Sequence, residues 1–237
     1  MDRPFVPWGT AHVTAIGLTV LVPMIFATAV RLSGSRKFAR AISLLFAGEL
    51  LATWALWYWL IAVRGWLSPA TILPLQLCDW ATIAALITLF RPNQRSYELS
   101  YFWAFSGTLQ ALLTPDLSYG FPDLRFVVFF AFHGGAIASV LYLTLGMRLR
   151  PYAASIPRAI AWSLLYLVCA LAANRLFHTN FGYLSAKPLK PSLLDVMGPW
   201  PIYIAELMGL GLALVVLLYA PFYVADALRQ AKRASGR

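Results

Sequence analysis

Seven apolar runs, each about as long as a membrane is thick, follow one another along this chain and constrain its fold more than any other feature. Crossing a hydrocarbon core takes roughly 20 residues of helix, and lipid tolerates only helices and closed barrels. The apolar share of 60% exceeds the roughly 45–50% of soluble domains. We therefore predict an all-α polytopic membrane protein, a bundle of seven transmembrane helices that forms one integral membrane domain over residues 1–237. The predicted spans are residues 11–32, 41–63, 71–90, 97–114, 122–147, 158–177 and 201–227.

The positions of the basic residues predict the orientation of these helices. Of the 19 Lys and Arg residues, thirteen fall in the first, third and fifth loops and the C-terminal tail, and six fall on the opposite side. Basic loops are retained in the cytoplasm, so we predict an N-terminus outside and a cytoplasmic C-terminus. The formal charge of +10 does not indicate nucleic-acid binding, because the basic residues lie in short loops rather than on one continuous face.

Two of the runs depart from the pattern of a simple span. The first contains Ala-Thr-Ala (27–29), which resembles a signal-peptidase site. Asp2 offsets the charge of Arg3 ahead of the run, however, and most of the nearby basic residues come at or after its end. That arrangement is unlike a signal peptide, so we expect an uncleaved helix. The fourth run is the least apolar, because it carries Glu98, Ser106 and Gln110. If it did not cross the membrane, every later helix would change sides.

The stretch Leu-Pro-Leu-Gln-Leu-Cys-Asp-Trp (73–80) places three polar side chains inside the third run: Gln76, Cys78 and Asp79. Ionisable groups at bilayer depth are expensive and indicate a functional site by default. Cys78 lies roughly 10 Å below the outer start of its span, and His133 lies roughly 15 Å below that of the fifth. Three further runs add polar side chains to the same outer half: Gln110, Asn174 and Glu206. We therefore predict a buried site in the outer half of the bundle.

These residues also have structural explanations. Cysteine is commonly buried as a small hydrophobe. His133 lies in a stripe of small residues at four-residue spacing, which would let a neighbouring helix approach closely. An ion pair with Arg125 or Arg175 would account for Asp79. Glu49, near the inner end of the second span, lies apart from the predicted site.

Five short motifs follow one another from the third helix onward: Leu-Pro-Leu-Gln-Leu-Cys-Asp (73–79), Leu-Leu-Thr-Pro-Asp (112–116), Gly-Phe-Pro-Asp (120–123), Phe-His-Gly (132–134) and Pro-Ser-Leu-Leu-Asp-Val-Met-Gly-Pro-Trp-Pro (191–201). In this order they resemble the YwaF family of bacterial integral membrane proteins. That family is distantly similar to the eukaryotic transmembrane protein 164, which is regarded as a phospholipid acyltransferase with a membrane-embedded cysteine. The resemblance implies a multi-pass protein of the bacterial inner membrane whose partners are membrane lipids.

The same resemblance implies roles for individual residues and requires no cofactor, metal or nucleic acid. Cys78 takes the position of the nucleophile and His133 that of its base. Many bacterial relatives carry histidine at the position of Gln76, so in this chain His133 is the remaining candidate base. From their chemistry we predict Gln76, Gln110 or Asn174 as the donor to the oxyanion and Arg125, Arg175 or Lys187 at the lipid phosphate. Asp79, Asp116, Asp195 and Glu206 are predicted supporting residues.

Physical chemistry is compatible with these roles, because a thiol needs a neighbouring base to act as a nucleophile. The acyl group would move from a phospholipid ester to Cys78 as a thioester, and then to the hydroxyl of an acceptor lipid. His133 would relay the proton in both steps.

A rival hypothesis is a carrier or sensor that binds a lipid, small solute or proton in an outer-half polar cavity without covalent chemistry. Glu49, Glu206 and His133 on different helices would suit it, because such residues mark transport routes and relays. The odd number of spans and the lack of a visible internal repeat argue against common transporter folds. Only the helix count favours a seven-helix receptor.

Overall fold

The computed structural model describes residues 3–235, which fold into nine α-helices without any β-strand. Arg237, one of the basic residues of the predicted cytoplasmic tail, lies outside them. The helices are α1 (Thr10–Ser33), α2 (Arg36–Arg64), α3 (Pro69–Ile72), α4 (Leu77–Phe90), α5 (Gln94–Trp103), α6 (Leu109–Leu113), α7 (Leu124–Leu145), α8 (Ser155–Phe177) and α9 (Ile202–Ser235). The predicted all-α class is therefore confirmed.

Six helical segments of the described chain are long and apolar enough to cross a membrane. They are Thr10–Ser33, Arg36–Arg64, Pro69–Phe90, Leu124–Leu145, Ser155–Phe177 and Ile202–Arg233. Each overlaps one of the predicted spans, so the multi-pass membrane class is confirmed. The predicted fourth span, residues 97–114, is not among the six.

That fourth segment is nevertheless helical from residue 97 to residue 113, because α5, a π-helical turn (Ala104–Thr108) and α6 follow one another without a break. Its neighbours are α4, α7, α8 and α9. Surrounded in this way, Glu98 is only 1% exposed. The low hydropathy of the segment reflects contact with protein instead of lipid.

The π turn changes which way the second half of this segment faces. A π turn contains one residue more than an α-helical turn and is often found at functional sites. Beyond the start of the turn, Ser106, Gly107 and Gln110 face a large cavity. A Cβ on Gly107 would lie 2.7 Å from the side chain of Leu77, so this glycine allows the beginning of α4 to approach closely.

Helix α7 is the centre of the bundle and α9 lies at its edge. The spanning part of α7 is 61% buried, against 11% for α9. α7 packs against α1, α2 and α4, and its Tyr142 hydroxyl donates a 2.7 Å hydrogen bond to the Ala39 carbonyl of α2. The position of α7 brings His133 into the interior.

One end of the bundle, which we call the closed end, is held by a polar network. Arg158 of α8 donates two hydrogen bonds of 2.8 and 2.9 Å to the buried Glu98 carboxylate of α5. Gln94 donates to Glu98 and to the Arg150 carbonyl, each at 2.8 Å. Arg150 in turn forms a two-point ion pair with Asp226 of α9. The network ties three helices together where α5 and α8 begin.

At the opposite end, which we call the cavity end, Asp123 caps α7. Its Oδ1 accepts a 2.8 Å hydrogen bond from the Arg125 backbone. The Arg125 guanidinium also donates to both oxygens of Asp123, and this lowers the pKa of Asp123 to about 2. Arg125 further stacks on the Tyr119 ring at 3.0 Å. The entry into α7 is therefore fixed by an ion pair.

Candidate functional site

A cavity of about 1070 Å³ lies at the cavity end, between α2, α4, α7, α8, α9 and the segment from α5 to α6. Its walls are mostly apolar and aromatic. Seven of the residues singled out from the sequence line it: Gln76, Cys78, Asp79, Gln110, Asp116, Arg125 and His133. The structure thus brings the two predicted catalytic residues to one cavity.

A break in the third span exposes backbone to this cavity. Residues 73–76 are not helical, because Pro74 favours an extended conformation at Leu73. Non-helical backbone at membrane depth is tolerated only where it is buried in protein or lines a cavity. The predicted third span is therefore two helices, α3 and α4, joined at the site.

Cys78 is the second residue of α4. Its thiol lies near the backbone N–H groups of Cys78 and Asp79, at the positive end of the helix dipole. The Asp79 carboxylate accepts a 2.9 Å hydrogen bond from the Gln76 backbone N–H and so caps the helix. Asp79 fixes the start of α4, which in turn fixes the thiol.

Gln76 connects α4 to the loop after α8. Its Oε1 accepts a 2.9 Å hydrogen bond from the Gly182 backbone N–H, while its Nε2 donates to no residue within 3–235. Gly182 has a φ of +63°, a conformation that favours glycine. The Gln76 amide is therefore oriented through its oxygen, and its NH₂ group is available to a ligand.

Asn174 has a structural task that the sequence did not indicate. It is buried, and its Oδ1 accepts from the Phe181 backbone N–H at 2.6 Å and from the Thr179 hydroxyl at 2.9 Å. Its Nδ2 donates to the Phe181 carbonyl at 3.0 Å. Asn174 does not line the cavity, so it holds the turn that carries Gly182 and cannot serve as the predicted oxyanion donor in this arrangement.

Tyr183, next to Gly182, lines the cavity with a φ of +54°. Positive φ is strained for a bulky residue and is found preferentially at functional sites. Its hydroxyl donates a 3.2 Å hydrogen bond to Asp116, and its carbonyl accepts a 2.5 Å hydrogen bond from Tyr203. Asp116 therefore anchors a strained residue of the cavity wall.

His133 presents one nitrogen to the cavity. Its Nδ1 lies 2.8 Å from the Phe129 carbonyl, and a carbonyl only accepts, so Nδ1 carries the proton. In the neutral ring Nε2 then holds a lone pair, and within residues 3–235 it has no hydrogen-bond partner. The ring packs on Phe129 at 4.3 Å between centroids. His133 is a fixed imidazole with an available acceptor.

Cys78 and His133 belong to helices that contact each other, α4 and α7. No hydrogen bond joins the thiol to the ring in the described part of the chain. Catalytic hydrogen bonds are often long in a resting site and tighten when substrate is bound. Both side chains line the one cavity.

Four of the predicted supporting residues, including Asn174, lie outside the cavity. Arg175 is exposed at the end of α8. Asp195 accepts a 2.8 Å hydrogen bond from the Ser192 backbone, and Glu206 accepts one of 2.8 Å from the Gly198 backbone. These acidic groups order the loop before α9. Lys190 of that loop, rather than Arg175, lines the cavity.

Glu49 also lies away from the cavity, as the sequence predicted. Its Oε1 accepts a 3.2 Å hydrogen bond from Thr53, and its carboxylate packs against Gly135 of α7. The adjacent Gly134 packs against Thr19 of α1. The small residues of α7 therefore accommodate polar side chains of α1 and α2.

Sequence reasoning missed two tyrosines near the thiol. Tyr166 and Tyr183 both line the cavity, and the hydroxyls of both lie close enough to Cys78 to interact with it electrostatically. The predicted depth in the membrane could have identified Tyr166. It lies roughly 16 Å from the outer end of its span, which is close to the depth predicted for His133. Tyr183 lies in a loop and has no such signal.

Comparison with known proteins supports one assignment. The family model of the TMEM164 family matches residues 7–219, a range that includes Cys78 and His133. Neither the search of curated proteins nor the search of solved structures finds a match. Among residues 3–235, no group of three or more His, Cys, Asp or Glu side chains is arranged to hold a metal ion.

Proposed function

The chain belongs to the TMEM164 family, and we propose that it is a membrane-embedded acyltransferase that moves a fatty acyl group between phospholipids through a thioester on Cys78. One observation carries the proposal: a thiol at a helix N-terminus and an imidazole with an available Nε2 line the same apolar cavity. The resemblance of the ordered motifs to the YwaF family, and through it to a cysteine acyltransferase, points to the same chemistry.

In the first half-reaction, Nε2 of His133 takes the thiol proton and the Cys78 sulfur attacks the ester carbonyl carbon of the donor phospholipid. The new S–C bond forms a tetrahedral intermediate, whose oxyanion accepts a hydrogen bond from the Gln76 NH₂ group. The C–O bond to the lipid then breaks, and the leaving alkoxide takes the proton from His133. The products are a lysophospholipid and the Cys78 thioester.

In the second half-reaction, the hydroxyl of an acceptor lipid gives its proton to Nε2 and attacks the thioester carbonyl. The S–C bond breaks, the thiolate recovers the proton from His133, and the acyl group is now an ester of the acceptor. The same base and the same nucleophile thus serve both half-reactions, as in other acyl transfers through a covalent intermediate.

The lipid is held by complementary chemistry. The apolar walls suit acyl chains, since each buried CH₂ contributes about 0.8 kcal/mol. The phosphate would lie at the loop before α9, where Lys190 lines the cavity. Arg125 is ion-paired with Asp123 and therefore orders the rim more than it binds phosphate.

Seven spans complete the proposed architecture. Residues 94–113 form a helical segment of 20 residues, or about 30 Å, which is long enough to cross a membrane. With this span included, the basic residues favour an N-terminus outside, a cytoplasmic C-terminus and insertion in the bacterial inner membrane. A tag at the C-terminus should then be cytoplasmic and one in the 185–191 loop external; reporter fusions that place both on one side would contradict the count.

The rival carrier hypothesis has less support. Glu49, Glu206 and His133 would suit it, yet Glu206 accepts a hydrogen bond from the Gly198 backbone and Glu49 packs against Gly135. Neither glutamate lines the cavity with His133. The cavity is lined instead by Cys78, His133 and Gln76, to which the acyl-transfer proposal gives roles.

The test is a search for the thioester. Purified protein is incubated with an acyl-labelled phospholipid and examined by mass spectrometry, with the expected adduct on Cys78. Cys78→Ala should abolish the adduct. His133→Ala should slow its formation by about 10²–10⁴-fold, the usual contribution of a positioned general base.

Cys169→Ala is the matched control, because Cys169 lies on α8 and does not line the cavity. It should form the adduct at the wild-type rate. Lipid remodelling at the wild-type rate by Cys78→Ala would show that the covalent mechanism is wrong.

A further inference from the structure

Tyr166 of α8 carries a buried hydroxyl without a hydrogen-bond partner. The residue is 7% exposed and its hydroxyl oxygen bonds to no atom of the described residues. Leaving a buried polar group unpaired is unfavourable, and the few examples in native structures call for an explanation. A group that the protein itself does not satisfy is available to a ligand.

The surroundings of this hydroxyl place it beside the nucleophile. It is near enough to interact electrostatically with the Cys78 thiol and the Asp79 carboxyl, and it faces the Leu77 backbone N–H. A Cβ on Gly182 would lie 2.6 Å from the Tyr166 oxygen. Gly182 is also the residue whose N–H orients Gln76, so the Gln76 amide and the Tyr166 hydroxyl converge on one point of the cavity wall.

The Tyr166 ring is held in place by packing. It meets Trp80 edge to face, with 5.4 Å between ring centroids, and Trp80 meets Trp103 in the same way at 6.0 Å. A donor fixed before the substrate arrives costs no reorganisation during the reaction. Tyr183, the other tyrosine near the thiol, already donates a hydrogen bond to Asp116.

We propose that Tyr166 is a catalytic residue of the acyl transfer and that its hydroxyl donates a hydrogen bond to the acyl carbonyl oxygen at Cys78. The inference rests on the proposed function and adds to it a second oxyanion donor beside Gln76. In each half-reaction the carbonyl oxygen gains negative charge when the new bond to carbon forms and loses it when the old bond breaks. Tyr166 keeps its proton throughout, so the proton balance between thiol, His133 and lipid is unchanged.

The experiment measures single-turnover acylation of Cys78 in purified full-length Tyr166→Phe, together with its melting temperature. Acylation should slow by about 10²–10³-fold, the usual effect of removing one oxyanion donor. The melting temperature should not fall, because the hydroxyl that is removed has no protein partner.

Tyr142→Phe is the matched control with the opposite expectation. Tyr142 is fully buried, but its hydroxyl donates to Ala39 and it does not line the cavity. Losing that hydrogen bond should lower the melting temperature by about 2–4 °C, while the acylation rate of the folded protein stays at the wild-type value.

A thiono-ester donor, in which sulfur replaces the carbonyl oxygen, separates a catalytic role from a packing role. Sulfur accepts hydrogen bonds weakly, so the wild-type protein should strongly prefer the oxygen ester. In Tyr166→Phe this preference should shrink by about the factor lost in the rate.

Three results would overturn the proposal. Wild-type acylation by Tyr166→Phe, with Cys78→Ala inactive, removes Tyr166 and leaves the proposed function standing. An unchanged oxygen-to-sulfur preference, or a rate that falls only together with the melting temperature, assigns Tyr166 to packing. Absence of any Cys78 adduct in the wild-type protein rejects both the function and the role of Tyr166.

Discussion

The two ends of this bundle treat buried polar groups differently. At the closed end, Glu98 is matched by Arg158 and Gln94, and Arg150 by Asp226. At the cavity end, the buried Tyr166 hydroxyl has no hydrogen-bond partner among residues 3–235, and His133 is hydrogen-bonded there through Nδ1 and not through Nε2. At the closed end both carboxylates are paired within the protein, although Arg150 Nε has no partner among residues 3–235, whereas at the cavity end the Tyr166 hydroxyl and one nitrogen of His133 are left unpaired.

This difference separates scaffold from site. A buried pair is retained because removing one member exposes an uncompensated charge to a low dielectric. A buried group without a partner destabilises the resting protein, and where such a group lines a cavity a ligand can complete it. The presence of polar residues in a span is therefore less informative than whether the fold pairs them.

The largest expected effect is at the closed end. Arg158→Ala leaves the Glu98 carboxylate, which is 1% exposed, with Gln94 as its remaining donor. We expect the free energy of unfolding to fall by about 3 kcal/mol, the lower end for breaking a buried pair, because Arg158 is 42% exposed. Denaturation in detergent micelles measures it.

The control is Arg229→Ala, since Arg229 is 71% exposed and lies 3.9 Å from Asp226. Such surface pairs contribute little, so no measurable change is expected. Glu98→Gln added to Arg158→Ala should recover part of the loss by removing the charge. Equal stability of Arg158→Ala and the wild type would mean that the closed end is not the scaffold.

A smaller loss of stability is expected from a substitution at the cavity end, at Gly182, which lies beside the unpaired Tyr166 hydroxyl. Gly182→Ala must accept a φ of +63° and a Cβ only 2.6 Å from the Tyr166 oxygen. We expect a loss of about 2 kcal/mol, combining backbone strain with overpacking. In the Tyr166→Phe background the loss should be smaller, because the crowding oxygen is absent.

Gly65→Ala isolates the backbone contribution, because Gly65 has a φ of +67° and open space around it. It should cost about 1 kcal/mol in either background. Thermal unfolding of the wild type, Gly182→Ala, Tyr166→Phe and the double variant gives the coupling energy between the two positions. An equal cost of Gly182→Ala with and without the Tyr166 hydroxyl would show that the two groups are not in contact.

The smallest effect concerns pH at the rim of the cavity. Asp123, just before α7, has its pKa lowered to about 2 by Arg125, whereas an unfolded aspartate titrates near 3.9. The unfolded state then binds the proton more readily, so the contribution of Asp123 is complete above about pH 4 and is lost as pH falls toward 2. In Asp123→Asn, the melting temperature should therefore fall less steeply than in the wild type as the pH is lowered from 5 to 2.

The apolar runs predicted most of the fold, because membrane spans are determined by length and hydropathy. Six of the predicted spans match helices that are long and apolar enough to cross. The break at Pro74 and the interior position of residues 94–113 depend on which helices pack together. The hydropathy of one segment does not show which helices are its neighbours.

The candidate site was predicted in part. Cys78, His133, Gln76 and Gln110 follow from ordered motifs and depth, and all four line the cavity. Asn174 and Glu206 have the same sequence signal, a polar group in a span, but the fold uses both for backbone hydrogen bonds. Tyr183 was missed because its place depends on a loop that returns to α4.

The π turn of Ala104–Thr108 acts as a phase shift within a single helix. Each helical residue advances the facing direction by about 100°, so one extra residue turns the second half of the segment by that angle. Glu98, before the shift, faces Arg158, and Gln110, after it, faces the cavity. Refolding this turn as regular α-helix without changing its length would rotate Gln110 out of the cavity, whereas deleting one residue from the turn would leave Glu98 and Gln110 facing as they do now.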